Sequence, residues 1–355
     1  MFIIRDARRS DLKGLRRLAE MLNTVNLPNE KAALEEVLDV AARSFAGSIE
    51  SARDRQYLFV AEDTAEKQLV GTSMILAQHG TRESPHLYFE VIEDQRYSST
   101  LDKHFRHLIL RLGRDFDGPT EIGGLILDPA LRTGTGASRL RLGKQLSYVR
   151  FLFIAIHRRF FRKRLLAELL PPLLPDGKSE LWEHLGRHFT GLDYTEADHV
   201  SRKNKEFITS LFPHGEIHAS LLPEHVQQLI GEVGPTTLGV KKMLVDIGFE
   251  YSHKIDPFDG GPHFEADVNN VTLLQQVKWV PFVAVDDEDA PQEISHLAAV
   301  SDPKGRHKFT AVGCAARFDL QGRAELPKSV IKALGVSARK KVYILPLDAP
   351  PPKES

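Results

Sequence analysis

Apolar residues recur along this chain at two spacings, and the alternation between them lays out its elements. Residues 2–5 read as a short strand, and Ser10 behind it is placed to cap a helix. Leu12, Leu15, Leu18, Ala19 and Leu22 mark one helical face; Leu34, Val37, Leu38, Ala41 and Phe45 mark a second, closed by Gly47. Strand patterns follow at 57–62, 69–76 and 87–92, separated by polar turns. Residues 122–127 predict a buried strand that runs into Arg132-Thr133-Gly134-Thr135-Gly136 and then a helix reaching to about residue 159. Another strand is expected at 164–169, ended by Pro171 and Pro172.

The middle third is mostly helical in pattern. Leu181, Trp182, Leu185 and Phe189 make one face, Phe207, Ile208 and Leu211 another, and Val226, Leu229, Ile230 and Val233 a third. Val240, Met243, Leu244 and Ile247 end at Gly248, with strands expected at 250–256 and 263–268. Four consecutive acids, Asp286 to Asp289, stand beside Ala290-Pro291 and cannot pack as a strand interior, so 286–291 reads as a linker. Beyond it, 308–318, 322–326 and 341–345 look like strands around a short helix at 328–334.

The expected organisation is therefore a large domain over 1–285, in two parts (about 1–172 and 173–285). A linker at 286–291, a small β-rich domain at 292–348 and a proline-rich tail at 349–355 follow. The order strand, two helices, several strands, glycine loop, helix, strand predicts an α+β fold with a mixed sheet. We read it as the N-acetyltransferase-like fold of acyl-CoA enzymes, with a barrel-like C-terminal addition.

Composition narrows the function mainly by exclusion. A formal net charge of −1 gives no support to a nucleic-acid or membrane partner for the whole chain. The single cysteine, Cys314, rules out an internal disulfide and a cysteine-built zinc site, and no metal is expected. Residues 1–6 lack the basic and apolar regions of a signal peptide, and no apolar stretch approaches the roughly 18 residues of a membrane span. A cytoplasmic protein is expected. The segment from Gly322 to Gly335 looks like the hairpin element of small swapped-hairpin DNA-binding proteins, but the neutral charge argues against that use.

Two motifs carry chemistry. The strand Leu125-Ile126-Leu127-Asp128-Pro129 ahead of the glycine loop suits a pyrophosphate cradle built from backbone N–H groups. The second is the turn Phe258-Asp259-Gly260-Gly261-Pro262, behind a helix closed by Gly248. With Arg5, Ser10-Asp11, Phe59-Val60, Glu62-Asp63, Glu121, Arg132, Arg150-Phe151-Leu152-Phe153, Trp182, Pro213-His214, Ile230-Gly231, Tyr251 and Glu265, these motifs make a specific set. In that set the chain resembles the bacterial arginine N-succinyltransferases over nearly its whole length. The resemblance implies transfer of a succinyl group from succinyl-CoA, a co-substrate, to the α-amine of arginine or a related amino acid. It places a succinyl-CoA contact on Leu125. A homo- or hetero-oligomer is compatible with it, and no permanently bound cofactor is expected.

The chain also departs from the family pattern. The family's proton-donating histidine, just before a proline, falls on Gly234, which has no side chain to give a proton. The glycine-rich loop near the N-terminus is reduced to Asn23-Thr24-Val25-Asn26 ahead of Leu27-Pro28, extra residues stand between Arg132 and Arg150, and a family arginine becomes Glu90. These departures leave two other readings open. One is an acyltransferase with a different amine or acyl group, and the other a catalytically impaired subunit beside an active paralogue.

Amide formation from a thioester needs a neutral amine, a polarised carbonyl and a proton for the thiolate. The backbone around Leu125 is the candidate oxyanion site, with packing in the core as its plain alternative. Arg132, Gly134 and Gly136 are the candidates for the diphosphate, with Arg139 to Gly143 as a competing loop. Nine Lys or Arg and no acid lie between Arg139 and Arg164, a face that could attract phosphates or simply be solvated. With Gly234 silent, acid–base work falls to His263, Asp259 or Glu121, although Asp259 also suits a backbone cap of its own turn. Glu90, Glu121 and Glu265 are the carboxylates available to a guanidinium.

Overall fold

The computed structural model describes residues 1–22, 30–82, 84–132, 140–201, 204–291, 293–302, 307–336 and 341–348. Its strands are β1 (Phe2–Asp6), β2 (Gln56–Asp63), β3 (Gln68–Leu76), β4 (His86–Ser98), β5 (Lys103–Asp115), β6 (Thr120–Leu127), β7 (Arg164–Glu168) and β8 (Glu216–His218). They continue with β9 (Glu250–Ile255), β10 (Pro262–Asp267), β11 (Lys278–Val285), β12 (His296–Ser301), β13 (Phe309–Cys314), β14 (Arg317–Phe318), β15 (Ala324–Pro327) and β16 (Lys341–Pro346). The chain forms two compact units interleaved along the sequence. Met1–Gln78, Ile122–Lys163 and Val268–Ser355 make the first; His79–Glu121 and Arg164–Asp267 make the second.

In the first unit the strand order is β14-β15-β11-β16-β12-β13-β1-β2-β3-β6. The charged turn at 286–291 lies between β11 and β12, and β13 pairs antiparallel with β1 through Ile4↔Ala311, so the C-terminal strands continue the ladder of the N-terminal ones. The helices Leu12–Leu22 and Lys31–Phe45 lay Leu15, Leu18, Leu34, Leu38 and Ala41 on Leu58, Val60 and Ile126. This is the face their spacing predicts.

The helix Leu142–Ile156 shows no such stripe; every residue from Gln145 to Ile154 is buried. A helix apolar nearly all round has to be enclosed on all sides. It ends at Ile156, and a separate short turn, Arg158–Phe160, fills the length that the sequence reads as continuous helix.

Strand β6 carries the irregularity that matters. Gly124 has φ +56, a left-handed conformation inside a strand, and its carbonyl accepts the Thr72 hydroxyl at 2.9 Å. A Cβ here would stand 2.9 Å from Cβ of Met74. Leu125, next in line, is half-buried between the buried Gly124 and Ile126. A glycine bulge of this kind turns backbone groups away from regular pairing.

The second unit has the order β7-β10-β9-β4-β5-β8, with β7 beside the first two residues of β6 in parallel register, Thr120↔Leu165 and Glu121↔Leu166. Strands β4 and β5 pair from His86↔Asp115 out to Ser98↔Lys103, a longer ribbon than the strand at 87–92 that the sequence suggests. The outer half alternates in neither face, because Lys103 to Arg106 are all exposed, and so it gives no burial pattern to read. The core of this unit surrounds Trp182, whose ring stacks on Phe258 at 4.9 Å and whose Nε1 donates to Leu192 O at 3.0 Å.

Replacing Gly124 by Ala forces a β-carbon into an unfavourable φ and against Met74. A loss of about 1–3 kcal/mol is expected, measured as a lowered denaturant midpoint with an unchanged m-value.

Candidate active site

The FDGGP turn is explained by its hydrogen bonds. Asp256 Oδ1 accepts the N–H groups of Phe258 at 2.7 Å and Asp259 at 3.1 Å, and Asp259 Oδ1 accepts the Gly261 N–H at 2.7 Å. Gly260 supplies φ +81. Burial, and then the neighbouring Glu168, pushes Asp256 up to about 6; burial together with Asp256 holds Asp259 well above the carboxylate range. Asp259 is thus the cap of its own turn, and the turn delivers His263 into β10.

His263 stands opposite Glu168 in the antiparallel register of β10 and β7. Its Nε2 lies 3.5 Å from Glu168 Oε1, and Nε2 of His86, the first residue of β4, lies 3.1 Å from the same oxygen. The rings of His86 and His263 stack at 5.3 Å, and His79 continues the stack at 4.3 Å from His86. His79 Nδ1 is 2.6 Å from Glu121 Oε2 at the start of β6. Three histidines and two glutamates from five separate segments thus form one cluster.

The cluster is graded in burial and charge. The side chains of His263 and His86 are 0% and 3% exposed, whereas those of His79 and Glu121 reach 21% and 12%. Burial drives His263 down to about 3 and His86 well below its ordinary value, so both are neutral imidazoles. At the open end burial alone would lower His79 and raise Glu121. Their ion pair outweighs it, holding His79 above and Glu121 below the usual values. A basic imidazole oriented by a carboxylate, beside a stack of neutral ones, can accept a proton from an amine and return it to a leaving group.

His79, His86 and Glu168 bring their ligand atoms within 4.8 Å of one another, the set here that could hold a metal ion. The rings of His79 and His86 are tilted, with planes 31° apart.

Position 234 shows why its histidine is missing. The Gly234 N–H donates to Leu170 O at 2.8 Å, and a Cβ there would lie 2.5 Å from Pro171 O and 3.0 Å from Leu170 O. The backbone passes too close to the segment after β7 for any side chain. Sequence reasoning found His263 and Glu121 but missed His79, His86 and Glu168. His79 ends a strand and His86 begins one, a placement that only the register of β7 and β10 turns into a cluster.

Other candidates are accounted for within each unit. Glu265 is neutralised by Lys254 at 3.0 Å and Arg164 at 3.5 Å, and Glu90 lies 3.8 Å from Arg111. In the first unit Arg132 turns back so that its Nε donates to Leu127 O at 2.9 Å, closing the end of β6. Gly134 and Gly136 lie outside the described residues. Leu125 follows the Gly124 bulge directly.

A mixed sheet with a glycine-bulged strand leading into an enclosed helix, together with a carboxylate-oriented histidine cluster, defines an N-acyltransferase class of protein. A family profile described as arginine N-succinyltransferase beta subunit matches residues 2–273. Arginine N-succinyltransferase subunit beta of Pseudomonas aeruginosa is 32% identical over 98% of this chain and 98% of its own. Arginine N-succinyltransferase of Yersinia pestis is 30% identical over 99% of this chain and 100% of its own. The solved structure of arginine/ornithine succinyltransferase subunit AI from Pseudomonas aeruginosa superposes with a TM-score of 0.83, at 26% identity, over 98% of this chain and 99% of that one. The chain belongs to the arginine N-succinyltransferase family.

Two outcomes follow. Unfolded histidine titrates near 6.5, far above folded His263, so the unfolded state binds more protons below pH 6.5 and stability falls on acidification. Denaturant midpoints between pH 7.5 and 5 should show His263→Gln losing less than wild type, by about 1.4 kcal/mol per pH unit below 6.5. Installing the family's histidine by Gly234→His should lower the melting temperature and leave activity no higher, since no room exists for the ring.

Proposed function

We propose that this chain transfers the succinyl group of succinyl-CoA to the α-amine of arginine. Membership of the family supports the reading, and the observation that carries it is the His79–Glu121 pair at 2.6 Å. In this reaction His79 takes the proton from the arginine ammonium, and Glu121 stabilises the imidazolium that results. The neutral amine attacks the thioester carbonyl, giving a tetrahedral oxyanion of the kind that backbone N–H groups stabilise. Its collapse expels the CoA thiolate, which receives the proton back from His79, while the second proton lost by the attacking nitrogen passes to solvent.

A second reading keeps the chemistry and changes the substrate. Glu90, where the family has an arginine, presents a carboxylate on β4 and favours a more cationic partner at that point. A catalytically impaired subunit is less well supported, because the histidine cluster supplies the acid–base groups that Gly234 lacks. The relatives named as subunits lead us to propose an oligomer, and among the described residues no helix is long and apolar enough to cross a membrane.

The purified chain should release CoA thiol from succinyl-CoA in the presence of arginine, detected with a thiol reagent, and no turnover would refute the reading. His79→Gln should lower kcat by about 10²–10⁴-fold. Glu121→Gln removes the charge that raises His79, so the acid limb of the kcat/KM profile should move to lower pH.

A further inference from the structure

Two buried arginines of the first unit are treated in opposite ways. Arg5 is bound on both sides by carboxylates, with NH1 and NH2 on Asp11 at 2.7 and 2.8 Å and Nε on Glu62 at 2.8 Å. Arg150, 2% exposed in the enclosed helix Leu142–Ile156, has neutral partners only. Its Nε donates to Ser147 O at 3.0 Å, NH2 to Ser147 Oγ at 2.9 Å and NH1 to Gly123 O at 3.2 Å. A guanidinium has five N–H donors, so two remain unused. No carboxylate among the described residues pairs with it, and burial alone pulls it down to about 9. A cation kept in a dry interior without a counter-charge is costly unless an anion arrives to meet it.

Its position says which anion. NH1 rests on the carbonyl of Gly123, the residue before the Gly124 bulge and two before Leu125. Gly123 and Leu125 are the half-buried positions of this stretch of β6, while Ile122, Gly124 and Ile126 are buried. Planar bidentate recognition of a carboxylate is what a partly used guanidinium offers.

We propose that Arg150 receives the free carboxylate of the succinyl group, and so makes the enzyme select a dicarboxylic acyl thioester over a plain acetyl one. The inference rests on the reading above that succinyl-CoA is the donor. The carboxylate would complete the guanidinium's two idle N–H bonds while the thioester end lies toward Leu125. Ser147 and Gly123 then act as positioning groups that fix the plane of the fork.

The test compares succinyl-CoA with acetyl-CoA, using arginine as acceptor, for the wild type, Arg150→Lys and Arg150→Gln. Arg150→Gln should lose about 100-fold or more in kcat/KM for succinyl-CoA, with acetyl-CoA changed far less. Arg150→Lys, which keeps charge but not the fork, should fall between. A parallel loss with both donors would mark Arg150 as a structural prop and overturn the proposal. Calorimetry with the full chain separates this from the functional reading. Wild type should bind succinyl-CoA at least about tenfold more tightly than acetyl-CoA, and Arg150→Lys should narrow that gap. Equal wild-type affinities would overturn the proposal even if Arg150→Gln fails to fold. Discrimination in binding without turnover would leave the proposal standing and defeat the functional reading alone.

Discussion

The carboxylate of Glu121 holds the imidazole of His79 at 2.6 Å, and the distribution of charge in the histidine cluster depends on that contact. Without the carboxylate, His79 would share the fate of His86 and His263, whose burial leaves them neutral and weakly basic. With it, one imidazole of a stacked three becomes the basic one, and it is also the most accessible of them. The two inner histidines, leaning on one oxygen of Glu168, then serve as a rigid neutral backing for the outer ring. A single ion pair thus sets one of three like residues apart from the other two in charge.

The same economy governs the turn that brings His263 there. Asp256 and Asp259 are half-buried with raised affinities for protons, a state often associated with catalysis. Here desolvation and neighbouring carboxylates raise them, and the three turn N–H groups they accept give them a structural task. Perturbed acidity alone therefore does not separate a working carboxylate from a structural one; the hydrogen-bond partners do. Glu121 meets a titratable imidazole, whereas Asp259 meets a peptide N–H.

Gly234 marks a close approach between two backbone segments. Backbone carbonyls of Leu170 and Pro171 occupy the space a side chain would need, so the position is closed sterically as well as chemically. The segment it packs on leaves β7 immediately after Glu168, and Glu168 is the residue that gathers His86 and His263. Loss of a histidine and presence of a histidine cluster therefore meet on one short stretch of chain.

The sequence by itself determined the local elements. Helical spacing at Leu12–Leu22 and Lys31–Phe45, strand runs on either side, and the glycine-rich strand end at Leu125 all depend on near neighbours in the chain. It also determined the family, through motifs such as FDGGP whose residues are fixed by one turn. It could not show that β13 pairs with β1, that the ribbon of β4 and β5 extends to Ser98, or that His79, His86 and Glu168 converge. Those facts belong to strand register between segments tens to hundreds of residues apart, and nothing in the local pattern of any one segment encodes it. Arg150 makes the same point: the sequence shows an arginine in an apolar helix, and only the structure shows it buried with no carboxylate beside it among the described residues.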